Sequence, residues 1–182
     1  IGGLDEIQNI RMEWSENPYR LMEKRGFNES QVLSRNFSNT IHAFSIINKF
    51  AGAVHLPQVS IHKGKNEYDY EMAFQGTSER EAGAQFISSW SNPIPWSISV
   101  YGNSKYLRFA PLEQCVCKNL QTGEKVIFEG DNFDKDFKPG FYNQAKHFLS
   151  LLDGGSQDGL TKLTSMRILF EYAKILTPKH NG

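Results

Sequence analysis

The apolar positions change period twice along the first third of the chain. In "EIQNIRMEW", residues 6–14, Ile7, Ile10 and Met12 alternate imperfectly with polar residues, which predicts a strand. "SENPYRLMEKRGFNESQ" is polar and broken by Pro18 and Gly26, so it reads as a loop with a single helical turn. In "FSNTIHAFSIINKF", residues 37–50, Ile41, Phe44, Ile46, Ile47 and Phe50 recur at three- and four-residue spacing. That is the stripe of an amphipathic helix. Ser38 or Asn39 can cap its start, because either side chain accepts a bond from a free backbone N–H. Gly52 ends it, as the usual residue for a left-handed C-terminal turn.

From residue 54 the period shortens to two. "VHLPQVSIHKG", "EYDYEMAFQG", "EAGAQFISSW", "IPWSISVYGN", "KYLRFAPL" and "EKVIFEG" are short, alternating and rich in β-branched or aromatic residues. "YGNSKY" is a hairpin candidate, since Gly102 and Asn103 tolerate positive φ. "GTSEREAG", residues 76–83, reads as another hairpin connection. Phe86 and Trp90 share one strand parity, as do Ile98 and Val100, marking core or interface stripes. The helical period then returns. Pro139 suits a first helical turn, Phe141, Ala145, Phe148, Leu149 and Leu152 form a stripe, and Gly154-Gly155 stops it. A last helix carries Leu160, Leu163, Met166, Leu169, Phe170, Ala173 and Leu176 and stops before Pro178. Helices outside a block of strands predict an α+β domain over 1–182. Its open, mainly antiparallel sheet has about six strands, with helices packed on one face. The other face must meet water, a partner domain or a second copy.

Charge and composition narrow the functions. The 182 residues hold 20 Lys+Arg and 20 Asp+Glu, for a formal net charge of zero. A nucleic-acid binder usually carries a basic surplus, so no nucleic-acid partner is expected. No apolar run approaches the roughly 20 residues that span a bilayer, and no membrane association is expected. The two cysteines, Cys115 and Cys117, stand in "CVC". An i, i+2 disulfide is strained, and one Cys-x-Cys without a second ligand pair is a weak metal signal. Two reduced strand cysteines suit a reducing compartment, the cytoplasm. The chain opens on Ile1 without an initiator methionine, which raises the expectation of an excised domain.

Most catalytic signatures are missing. Neither G-x-G-x-x-G after a strand nor G-x-x-x-x-G-K-[ST] occurs, so the chain is expected to hold no dinucleotide by itself. No G-x-S-x-G frames a serine nucleophile. The acidic loop "EGDNFDKDF", with Glu129, Asp131, Asp134 and Asp136, lacks the offsets of a calcium loop. No metal site is expected. His55 and His62 bracket one strand at an odd spacing, which predicts opposite faces. His147 sits on the polar side of a helix and His180 in a tail. His42 stands out, inside an apolar helix and one turn after Ser38, so the two share a face. Two readings stand: a hydrogen-bonded core histidine, or a proton carrier kept neutral by a nearby helix N-terminus.

Together, "SNTIHAFSIINKFAG", "QFISSWSNPIPWSISVYGNSKYLRFAPL" and "DFKPGFYNQAKHFLSLLDGG" with the closing amphipathic helix resemble the C-terminal domain of the Gfo/Idh/MocA oxidoreductases, from about Ile1 to Leu176. The family pattern there is a "GxH" helix, a strand pair ending in a "YGxxGxL" hairpin, and an aromatic helix opened by "KPGFY"-like residues. Thr40 replaces the glycine before His42, and Lys105 and Tyr106 fill the hairpin where a second glycine is usual. The resemblance implies the substrate-binding half of an NAD(P)-dependent oxidoreductase of sugars, cyclitols or nucleotide sugars. NAD or NADP would be held mainly by a preceding Rossmann domain. "MEKRG" does not match that domain's Glu-Lys-Pro, so this chain alone is expected to be inactive. The open sheet is expected to build homo-oligomers.

His42 falls where family members place a histidine beside the reacting hydroxyl, and it is the catalytic candidate. The family often has aspartates four residues before and three after; here these are Ser38 and Ser45. Serine can orient an imidazole but brings no charge. Asn39 is a further hydrogen-bond partner. Trp14, Tyr19 and Arg20 follow the first strand, where the family reaches toward its ligand, and Lys138 and Tyr142 open the aromatic helix. Aromatic faces stack on sugar rings and Arg holds carboxylates or phosphates. Packing and loop anchoring are the competing roles for all five. Because both carboxylates are absent, a non-catalytic regulatory or scaffold module of the same fold stands as the alternative.

Overall fold

The computed structural model describes residues 3–66, 69–90, 94–130, 132–133, 140–156 and 163–176. Strand β1 (Ile7–Ser15) leads through helix α1 (Pro18–Arg25) to the long helix α2 (Glu29–Ala51). Seven strands follow: β2 (Val54–Lys63), β3 (Tyr70–Ser78), β4 (Gly83–Ser89), β5 (Ser97–Gly102), β6 (Lys105–Phe109), β7 (Cys115–Asn119) and β8 (Lys125–Phe128). Helices α3 (Phe141–Leu152) and α4 (Leu163–Leu176) close the chain.

The eight strands form one sheet in the order β2-β3-β4-β1-β5-β6-β7-β8. The α+β class and the open sheet are as expected, with eight strands rather than about six. Only β1 and β4 run parallel among the described residues; the other neighbours are antiparallel. The first strand of the chain thus lies inside the sheet, between two strands formed much later. Both foreseen hairpins are present, Ser78 to Gly83 and Gly102 to Lys105.

One sheet face carries α2, which packs on β1 and β4, and α4, which packs on α2 and β2. Ile10 and Met12 of β1, Met72 and Phe74 of β3, Phe86 of β4 and Val100 of β5 are buried beneath them. Phe44 of α2 sits at the centre. Its ring lies 4.8 Å from Phe74, 5.4 Å from Phe86 and 5.2 Å from Tyr172 of α4. The other face is mainly polar, with Asn9, Arg11, Gln75, Gln85, Tyr101 and Arg108 among its residues.

Two local expectations are corrected. Helix α2 begins at Glu29, not near Ser38. Asn28 caps it: its side chain accepts from Gln31 N–H while the Gln31 side chain accepts from Asn28 N–H. This reciprocal box starts a helix in a stretch whose polarity and Gly26 suggested a loop. Pro18–Arg25 is likewise a full helix rather than one turn: the Asn17 side chain accepts from Arg20 N–H at its start and Gly26 (φ 63°) ends it. Second, β2 carries a bulge between His55 and Gln58. The extra residue shifts the parity, so His55 opposite Thr77 and His62 opposite Glu71 lie on the same face. Simple alternation had put them on opposite faces.

Candidate functional site

The end of β1 is fastened to the segment that leads into β5. The antiparallel register sets Glu13 opposite Ser97, which brings residues 94–96 beside Ser15. Ser15 Oγ donates to the Ile94 carbonyl and accepts from Ile94 N–H, both at 2.6 Å. Trp96 Nε1 donates to the Ser15 carbonyl at 3.0 Å. The Trp96 ring stacks on Trp14, with centroids 3.4 Å apart and planes at 18°. Helix α1 stands opposite. Between them opens a cavity of about 550 Å³, lined by Ser15, Glu16, Arg20, Lys24, Arg25 and Trp96 among others. That volume suits a small metabolite.

A short bond ties the cavity to α2. Asn39, nearly buried, donates from Nδ2 to Glu16 Oε1 at 2.6 Å. His42 follows three residues later, so the two side chains neighbour each other along the helix. His42 is exposed, not part of the core. It also lies in the middle of a 23-residue helix. The expected influence of a helix N-terminus therefore does not reach it, because that field falls off within the first turn.

The other candidates divide. Arg20 lines the cavity. Trp14 is only 2% exposed and packs behind Trp96, so Trp96 presents the aromatic surface. Tyr19 is exposed on α1 but is not a lining residue, and Ser45 is half-buried on α2. Ser38 lies in α2 with its side chain outside the described residues, and Lys138, Pro139 and most of the acidic loop are outside them too. Tyr142 stacks flat on Phe133 at 3.9 Å, on α3 and away from this cavity's lining. Glu16, Lys24, Arg25 and Trp96 were missed. Lys24 and Trp96 had faint signals, a cation four residues after Arg20 and a tryptophan beside prolines.

A second cavity, of about 670 Å³, shares Ile94, Pro95 and Trp96 and is completed by Glu13, Ser97, Arg108 and Leu112. Glu13 pairs with Arg11 at 2.6 Å and accepts from Ser97 Oγ at 3.2 Å. Arg108 is held above its usual pKa, chiefly by its bond with Tyr106. Cys115 and Cys117 are both free thiols, and burial, then Cys117, pushes Cys115 upward. No group of three or more metal-ligating side chains occurs among the described residues. No helix of the described residues is long and apolar enough to cross a membrane. The residues here do not fit a dinucleotide: β1 passes into α1 through Glu16 and Asn17, with no glycine to let a pyrophosphate approach the backbone.

No family model and no curated protein matches the sequence. Solved structures do match in fold. A dehydrogenase from Chromobacterium violaceum superposes with a TM-score of 0.71 at 12% identity, over 95% of this chain and 53% of that one. An oxidoreductase from Agrobacterium radiobacter, solved with NAD+, L-tartaric acid and magnesium, gives 0.65 at 11% identity, over 93% and 53%. A super-repressor mutant of Gal80p from Saccharomyces cerevisiae gives 0.60 at 10% identity, over 94% and 55%. The chain thus has a fold that these oxidoreductases contain, and it spans about half of their length. That agrees in fold with the Gfo/Idh/MocA C-terminal domain.

Proposed function

We propose that this chain is the substrate-binding and oligomerising C-terminal domain of a Gfo/Idh/MocA oxidoreductase acting on a sugar, cyclitol or nucleotide sugar. The observation that carries this reading is the metabolite-sized cavity at the end of β1, whose Glu16 is bonded by Asn39, three residues before the exposed His42 on α2. In the full-length protein a Rossmann domain would hold NAD or NADP and supply the redox chemistry. His42 takes up or returns the proton of the substrate hydroxyl. Positions 38 and 45 lack a carboxylate; the one held at the cavity is Glu16, bonded by Asn39. Trp96 gives the ring a flat apolar surface. The polar sheet face assembles copies of the chain. The free thiols are in keeping with a cytoplasmic protein.

The test is turnover of a panel of sugars and nucleotide sugars by the full-length protein with NAD(H) and NADP(H). His42→Ala is expected to lower kcat by about 10²–10⁴-fold, the range for a lost general acid–base, with KM little changed. The second reading, a non-catalytic regulatory module, draws on Ser38 and Ser45 and on the likeness to Gal80p. Absence of any nicotinamide turnover by the full-length protein would favour it.

A further inference from the structure

The cavity beside β1 has an unbalanced charge. Among the described residues its lining holds Arg20, Lys24 and Arg25, all from α1, against one carboxylate, that of Glu16. That carboxylate is already engaged by Asn39 at 2.6 Å. None of the three cations makes a salt bridge among the described residues.

Helix stability does not account for all three. Lys24 and Arg25 sit in the last turn, where cations complement the helix dipole. Arg20 sits in the first turn, at the positive end, and that turn holds no acidic residue. Arg20 and Lys24 are also four residues apart, a spacing at which like charges repel. Such a stack on the wall of a concave site is relieved by a bound anion. Trp96 lines the same cavity, its indole N–H bonded to the Ser15 carbonyl.

We propose that this cavity binds a small molecule carrying an oxyanion, a phosphate or a carboxylate, held by Arg20 and Lys24 with its body against Trp96. Taken as the substrate's site, which rests on the functional reading above, it narrows the substrate to charged sugars or nucleotide sugars over neutral ones.

The 182-residue chain can be titrated with glucose 6-phosphate, gluconate and glucose, following the Trp96 indole N–H and the α1 amides by NMR. Saturable shifts with the phosphate, the carboxylate or both, and not with glucose, support the proposal and identify the oxyanion. Arg20→Gln/Lys24→Gln should then weaken binding at least about tenfold, and added salt should weaken it further. Both side chains are exposed, so the variant is expected to keep the wild-type amide spectrum elsewhere. Equal binding of glucose, absence of binding by either anion, or unchanged affinity in the double variant would overturn it. Anion binding that persists while the full-length protein turns over no nicotinamide would sink the oxidoreductase reading alone.

Discussion

At the scale of single residues, burial sorts the polar groups into those that hold the fold and those left at the surface. Tyr172 belongs to the first set. Its hydroxyl donates to the Val54 carbonyl at 2.6 Å and accepts from Val54 N–H at 3.0 Å, so α4 is pinned to the start of β2. Tyr172→Phe leaves both backbone groups buried without that partner. It should lower unfolding free energy by about 1–3 kcal/mol in urea titrations. Burial pushes the Tyr172 phenol up; the Val54 bond pulls it partly back, and Glu79 adds to the rise. The folded state therefore favours the neutral phenol. Its stabilisation is complete below the unfolded value of about 10 and is lost as pH rises through the higher folded value. The melting-temperature gap between wild type and Tyr172→Phe should accordingly shrink as pH climbs above about 10. His42 belongs to the second set. Its apolar neighbours at helical spacing made a core position as plausible as a pocket one, and only the direction of the helix against the sheet decided that it faces outward.

At the scale of elements, the periodic signals were legible and the interruptions were not. The α2 stripe and the last two helices followed from spacing, since side-chain period is a local property of backbone geometry, and both hairpins from their turn residues. The bulge in β2 was not visible, because one extra residue leaves the composition of a strand unchanged. It presses β2 over Gly76: a Cβ there would meet Val54 Cγ1 at 2.5 Å and the His55 carbonyl at 3.1 Å. Gly76→Ala should destabilise the chain by about 1–3 kcal/mol, the cost of overpacking a closed site, as measured by chemical denaturation. The Asn28–Gln31 box was present in the sequence as N-x-x-Q, but a polar flank with Gly26 and Pro18 outweighed it.

At the scale of the whole molecule, the helices shield one face of the sheet and leave the other to solvent or a partner. Ile87, half-buried in β4, is an apolar member of that otherwise polar central surface, flanked by Gln85 and by Ala73 of β3. If copies assemble through this face, sedimentation should find a dimer or larger species. Ile87→Arg should then shift it to monomer while its melting temperature stays close to wild type. A wild-type chain that sediments as a monomer at all concentrations would remove the assembly role. The candidate site is also a product of this scale. It joins residues 15–25 to residues 94–96, which are distant in sequence and meet because β1 inserts between β4 and β5.

The amino-acid sequence by itself determined the α+β class, the hairpins and the helical stripes, because each depends on contacts between residues two to four apart. The resemblance carried by its motifs also pointed to the right fold. Tertiary structure alone decided the sheet order, the exposure of His42, the pairing of Glu16 with Asn39 and the gathering of Arg20, Lys24 and Arg25 with Trp96 around one cavity. Those features rest on which strand pairs with which and in what register. That choice is made by packing the whole core, and no local period records it.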